Sequence, residues 1–163
     1  MDIDPLTEKI TLYAKGVLPS SRYEHSLRTA ETAVQLCKRF GLDPARGNLA
    51  GIGHDICKAS PTRMLFALSE QDGEPITRLE KEKPSLLHGR AAAVMLRKDF
   101  GIDDEDVLDA IKDHTFGRPG MGVLAKILYA ADKIEPGREH ITKKRREELF
   151  LMDIDELVRT TIT

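Results

Sequence analysis

Apolar residues recur at spacings of three and four along nearly the whole chain, and no stretch sustains an alternation of apolar and polar positions, so the pattern predicts an all-α fold. Asp4-Pro5 reads as a helix start, with Asp at the cap and Pro in the first turn, and this helix is expected to reach about Gly16. Leu18-Pro19 breaks it. Ser20 or Ser21 is then expected to cap a long second helix ending near Phe40-Gly41. On that helix Tyr23, Leu27, Ala30, Ala33, Val34, Leu36, Cys37 and Phe40 share one broad arc, wide enough for a central element. Glu24, Arg28, Glu31, Gln35 and Lys38 fill the opposite arc, and His25 falls at the seam between them.

Asp43-Pro44 repeats the cap-then-Pro signal and opens a third helix expected to carry Leu49, Ile52, His54, Asp55 and Ile56. A glycine inside a helix costs about 1 kcal/mol relative to alanine. Gly47, Gly51 and Gly53 therefore imply that another helix or a ligand packs very close there. Pro61 begins a fourth helix through about Glu70, Gln71 to Pro75 is a loop, and the charged run Arg78 to Lys83 reads as a solvated face. Pro84-Ser85 opens a helix with His88 in its first turns and small residues behind it. Asp103-Asp104-Glu105 starts another that ends at His114-Thr115, the acids matching the positive end of the helix dipole. The glycine-rich loop Phe116 to Gly122, with Arg118 in it, is either a plain connection or a phosphate-binding helix start. Val123 to Ile134 is apolar on most sides and reads as a core helix, interrupted by Asp132, a carboxylate that needs a cation if buried. Glu135 to Arg138 is a turn, and Ile141 to Thr163 forms one or two charged amphipathic helices on the outside.

Composition narrows the chemistry. With 163 residues the expectation is a single domain spanning 1–163. Cys37 and Cys57 are the only cysteines and have no paired spacing, so they read as reduced thiols of a cytoplasmic protein. The acidic N-terminus Met1-Asp2-Ile3-Asp4 is unlike a targeting segment, and no apolar run has membrane-spanning length. A net charge of -2, from 25 basic and 27 acidic residues, provides no general field for nucleic acid, although a small anionic substrate remains compatible. Aromatic residues make up 5% and Trp is absent, which argues against a base-stacking platform of the single-strand-binding kind.

The candidate chemistry lies in six residues on five expected helices: His25, His54, Asp55, His88, His114 and Asp132. They use four of the five histidines. Neutral imidazoles with carboxylates suit iron, manganese, zinc, cobalt or nickel rather than calcium. The set exceeds what one tetrahedral structural zinc takes and points to a two-metal site in which a carboxylate bridges.

The order His, His-Asp, closing Asp resembles the HD-domain metallophosphohydrolase superfamily. Arg22-Tyr23-Glu24-His25, His54-Asp55-x-x-Lys58, Leu87-His88-Gly89, His114-Thr115-x-Gly117-Arg118-Pro119-Gly120-Met121 and Ala131-Asp132-x-Ile134-Glu135-Pro136-Gly137-Arg138 are similar to its bacterial symmetrical diadenosine tetraphosphate hydrolases. The resemblance covers about residues 20–140, leaving 141–163 as outer helices. It implies one HD-domain helical bundle around two transition-metal ions, iron above all with manganese or cobalt as alternatives, and cleavage of diadenosine tetraphosphate to two ADP. On this resemblance His25, His54 and Asp132 hold one metal, His88 and His114 the other, and Asp55 bridges. Asp55 and Lys58 match catalytic positions, and Arg22, Lys58, Thr115, Arg118 and Arg138 match positions near the phosphates. Phe116 stands where a small polar residue is expected, Gly53 where a larger apolar one is common and Arg90 where Pro is usual; these departures bear on substrate preference. The implied partner is a small nucleotide, with no nucleic acid or membrane, acting on a monomer or homodimer. Two other readings stay open: an HD nucleotidase acting on mononucleotides, and a non-catalytic nucleotide-binding regulatory module.

Overall fold

The computed structural model describes residues 3–162; Met1, Asp2 and Thr163, and with them the first part of the acidic N-terminal stretch, lie outside the described residues. Among the described residues there are ten α-helices and no strand. They are α1 (Ile3–Val17), α2 (Ser20–Phe40), α3 (Pro44–Gly53), α4 (Thr62–Ser69), α5 (Arg78–Glu82), α6 (His88–Phe100), α7 (Glu105–Asp113), α8 (Val123–Ile134), α9 (Lys143–Phe150) and α10 (Ile154–Thr161). None is long and apolar enough to cross a membrane.

Most boundaries follow local chemistry. Asp43 accepts a hydrogen bond from Ala45 N at the start of α3, and Asp104 accepts from Asp106 N and Val107 N at the start of α7. Gly41 and Gly101 end α2 and α6 in the left-handed conformation, at φ 77° and 71°. The serine cap expected for α2 does not form: Pro19 occupies the cap, and Ser20 is already the first helical residue. Pro61 does the same before α4. His54 and Asp55 are also placed differently, because α3 stops at Gly53 and both residues lie in the turns that follow.

At the centre, α2 packs along α3 and against α8, while α7 lies between α6 and α8. Leu36, Leu49, Ile56, Leu96, Ile111, Ile127, Leu128 and Ile134 are fully buried there. The glycines of α3 explain the close approach of its neighbours. A Cβ on Gly51 would overlap the backbone of Ala30, and one on Gly47 would press on Cys37 Sγ and the Ala33 carbonyl, so α2 is the close partner at both. Gly53 faces Leu96 and Ile111 rather than a ligand. Gly51→Ala is expected to destabilise the fold by about 1–3 kcal/mol through overpacking, read as a lower midpoint in chemical denaturation with an unchanged slope.

Two expectations need correction. The run Arg78 to Lys83 is not wholly a solvated face: Glu80 is buried, closing a capping box with Thr77 and pairing with Arg90. The C-terminal helices are not only external either, since Leu149 of α9 and Leu157 of α10 are buried in the core and α10 packs on α8.

Candidate metal centre

Helix ends orient three of the histidines. His54 follows α3, His114 follows α7, and His88 follows the 3-10 turn Pro84–Leu87 that leads into α6. Each of these rings reaches back three residues to a carbonyl of the preceding turn, and at Ser85 and Ile111 that oxygen, with two lone pairs, also accepts the histidine's own backbone N–H. Nδ1 of His54 is 2.6 Å from Gly51 O, that of His88 is 2.7 Å from Ser85 O, and that of His114 is 2.7 Å from Ile111 O. A carbonyl only accepts, so each Nδ1 carries a proton, and each Nε2 is the nitrogen left facing the cluster, a donor to metal once it is unprotonated. The three Nε2 atoms converge. That of His88 lies 3.0 Å from that of His114, and the His54 and His114 rings meet edge to face at 4.9 Å.

His25 arrives from the middle of α2 and is held differently. Its Nδ1 lies 3.4 Å from Glu135 Oε1, and its Nε2 lies 2.9 Å from Asp132 Oδ1. Glu135 is buried and is itself held by Arg28 and by Gly137 N. It therefore takes the role that backbone carbonyls play for the other three rings. The turn expected over Glu135 to Arg138 gave Glu135 no role, yet it caps the C-terminal end of α8 three residues after Asp132, and both carboxylates reach His25 from there.

Asp55 is the hinge of the arrangement. Its Oδ2 is 3.4 Å from His54 Nε2 and 3.7 Å from His25 Nε2, whereas its Oδ1 is 3.2 Å from His88 Nε2 and 3.5 Å from His114 Nε2. One carboxylate thus faces a different pair of imidazoles with each oxygen. Three overlapping groups have donor atoms close enough for one cation: His25, His54 and Asp55; His54, His114 and Asp132; and Asp55, His88 and His114. All six residues are nearly out of solvent, with Asp132 at the open edge.

Electrostatics match a cation. Burial opposes charge on Asp55, but His54, His114 and His88 reverse this and hold its carboxyl well below the usual range. Burial likewise opposes charge on Asp132, and His25 and His54 overcome it. His54 is discouraged from charging by burial but is pushed up to about 9 by the two carboxylates, whereas burial lowers His114. His54 Nε2 is also buried with no hydrogen-bond partner. An unpaired buried nitrogen is costly, and here it faces two carboxylates among orientated imidazoles. The residues present fit a divalent transition metal.

The remaining expected site residues are dispersed. Arg22 donates to Asp55 Oδ2 at 3.2 Å, and Arg138 donates to Asp132 at 2.9 Å through its backbone carbonyl and at 3.2 Å through Oδ1. Both are partly exposed at the rim. Thr115 follows His114, and its Oγ1 is buried without a partner. Arg118 is farther out, near Glu74 and Asp113. Lys58 is exposed, and among the described residues its ammonium has no hydrogen-bond or ion-pair partner. Arg90 does not belong to the site: it is buried between Asp72 and Glu80.

A residue without an expected role, Lys133, is bound into the edge of the cluster. Its ammonium lies 3.6 Å from Asp132 Oδ2, donates to the His114 carbonyl at 3.4 Å and rests over the Tyr129 ring. Beside it a cleft of about 520 Å³ opens from Asp132, lined also by Arg138, His140, Arg145 and the ends of α9 and α10. His140, the one histidine outside the candidate set, is exposed in that cleft.

An HD domain family model matches residues 22–137, which include every residue of the cluster. The chain belongs to the HD domain family. The HD domain is 37% identical to the symmetrical bis(5'-nucleosyl)-tetraphosphatase of Bacillus subtilis over 80% of this chain and 70% of that protein. It is 41% identical to the protein of the same name from Halalkalibacterium halodurans, over 90% of this chain and 80% of the relative. A crystal structure from Clostridium acetobutylicum, described as an HD superfamily hydrolase involved in NAD metabolism, matches this HD domain with a TM-score of 0.82 and 39% identity. That match covers 92% of this chain and 79% of the other.

Proposed function

We propose that this HD domain hydrolyses diadenosine tetraphosphate symmetrically to two ADP at a two-metal centre. The observation that carries the reading is Asp55, whose two oxygens face His25 and His54 on one side and His88 and His114 on the other. In this assignment Asp55 bridges, His25, His54 and Asp132 complete one site, and His88 and His114 complete the second. The metals are assigned as iron, with manganese or cobalt as substitutes, on the family resemblance, and the mixed imidazole and carboxylate donors are compatible with all three. The relatives named as symmetrical tetraphosphatases support the substrate class.

When bound, the metal pair would activate water for attack at phosphorus and neutralise charge on the reacting phosphates. The new bond joins the water oxygen to a central phosphorus, the bridge to the other central phosphorus breaks, and the departing oxygen leaves as a terminal phosphate oxygen of ADP. Each half of the substrate then ends as ADP, with the water protons released or retained on phosphate. The chain itself contributes orientation and fixed charge. Arg22 and Arg138 use part of each guanidinium on Asp55 and Asp132, and the remaining donors at the rim are placed for phosphate oxygens. Lys58, Thr115 and Arg118 are assigned to the polyphosphate, Lys58 reaching in on its flexible stem. Residues 1–163 act as one HD unit, a cytoplasmic monomer or homodimer without nucleic acid as partner.

The test combines elemental analysis of protein purified without chelator or nickel with chromatography of the products. About two metals per chain and ADP as sole product from diadenosine tetraphosphate are the expected results. Nucleoside plus phosphate from a mononucleotide, with the dinucleotide left intact, would replace this reading with a nucleotidase.

A further inference from the structure

A second cleft, of about 420 Å³, is lined by residues next in the chain to two of the cluster's histidines, Thr115 directly after His114 and Leu86 two residues before His88. Its size falls in the range of small-molecule sites, about 300–1,000 Å³. The chemistry of its lining differs from that of the cleft beside Asp132. Two large apolar side chains stand open in it, Leu79 at 47% exposure and Phe116 at 60%. Two of its cations are already engaged, Lys112 by Glu74 and Arg90 by Asp72 and Glu80, while Arg118, half-exposed at the rim, touches Glu74 at 3.4 Å with one nitrogen and keeps donors for the polyphosphate. The buried Thr115 hydroxyl is the polar group left without a partner. Such a surface suits a flat, uncharged ring carrying a few hydrogen-bonding atoms. Phosphate would instead favour the cleft of Lys133, Arg138 and Arg145.

We propose that the Leu79–Phe116 cleft is a nucleobase clamp, in which the adenine of one half of the substrate stacks on Phe116 while the other half extends from the cluster into the cleft walled by α9 and α10. The inference rests on the symmetrical hydrolysis proposed above. With one arm in each cleft, the middle of a two-ended substrate sits over the donor cluster, so the clamp helps set where the polyphosphate is cut. The exposed aromatic ring two residues after His114 is then a specificity determinant.

Because the chain contains no tryptophan, Phe116→Trp supplies a single fluorescent reporter in the cleft. Titrating the metal-loaded variant with ADP is expected to quench its emission saturably, whereas inorganic tripolyphosphate, which has charge but no base, leaves it unchanged. In parallel, Phe116→Ser is expected to raise KM for diadenosine tetraphosphate about 10-fold, the scale of one lost base stack, with kcat within about threefold. If the wild type hydrolyses the dinucleotide but ADP leaves the indole unquenched, or Phe116→Ser keeps the wild-type KM, the clamp is wrong. If ADP quenches the indole but the wild type fails to hydrolyse the dinucleotide, the base site stands and the reaction assignment falls.

Discussion

Asp55→Ala is expected to lose bound metal and diadenosine tetraphosphate hydrolysis together, each by more than about 100-fold, a lower bound set by what groups merely supporting metal ligands cost when removed. The reason lies in the geometry. Asp55 is within 3.7 Å of all four imidazole nitrogens of the cluster, so its removal takes one donor from each proposed metal position at once. His54→Ala should also lose metal and activity, because its nitrogen lies near the Asp55 and Asp132 oxygens and belongs to two of the three donor groups. Helical content should survive both substitutions. Asp55 lies in the turn after α3 rather than in the packed interface of α3 with α2, where Gly47 and Gly51 make the closest contacts. Metal per chain and initial rate are measured on the same preparation, with circular dichroism as the control. A metal-free variant that keeps full activity would end the assignment.

Acidification should release the metal as well. The cluster binds through unprotonated imidazole and carboxylate, so protons compete with metal for the same lone pairs.

Much of this site was legible in the chain. Four histidines and two aspartates spread over successive helical segments, with one other histidine to dilute them, single out the cluster from sequence. Helix starts at Asp43 and Asp104, and ends at Gly41 and Gly101, follow from local backbone chemistry. What periodicity could not reveal was how the rings are aimed. His54 was expected inside α3, but the structure ends that helix at Gly53, and the freed carbonyl of Gly51 anchors the ring. Hydrophobic spacing carries no signal for that reversal. Glu135 was hidden for a related reason, since a Glu before Pro reads as a turn residue unless its partners Arg28 and His25, more than a hundred positions earlier, are known. Lys133 and the cleft wall of α9 and α10 likewise depend on long-range packing.

Arg90→Met is expected to cost about 3–5 kcal/mol of stability at neutral pH, the usual penalty for removing one partner of a buried ionic group. Arg90 donates to both oxygens of Asp72 at 2.8 Å and to Glu80 at 3.0 and 3.1 Å. It also donates to the Glu74 carbonyl at 2.9 Å and the Pro75 carbonyl at 3.3 Å. A methionine fills similar space but supplies none of these donors. Burial would raise the pKa of Asp72 and Glu80, but hydrogen bonds to Arg90, joined at Glu80 by those of Thr77, outweigh it and hold both below their usual values. In the wild type that contribution is therefore fully present above the unfolded carboxylate values, about 4, and is lost as pH falls through the depressed folded ones. Without the guanidinium both carboxyls lose a donor that opposes burial and move up, Asp72 more than Glu80 because Thr77 still holds Glu80, so the variant regains stability as acid neutralises them. The stability gap should be widest near neutrality and narrow as the pH approaches 4, measured by chemical denaturation across that range. A gap independent of pH would mean that Arg90 acts by packing alone. Because Glu74 lies on the loop that Arg90 holds and receives Lys112 and Arg118 beside the Phe116 cleft, the variant should also show weaker substrate binding with its metal retained, whereas Asp55→Ala loses the metal itself.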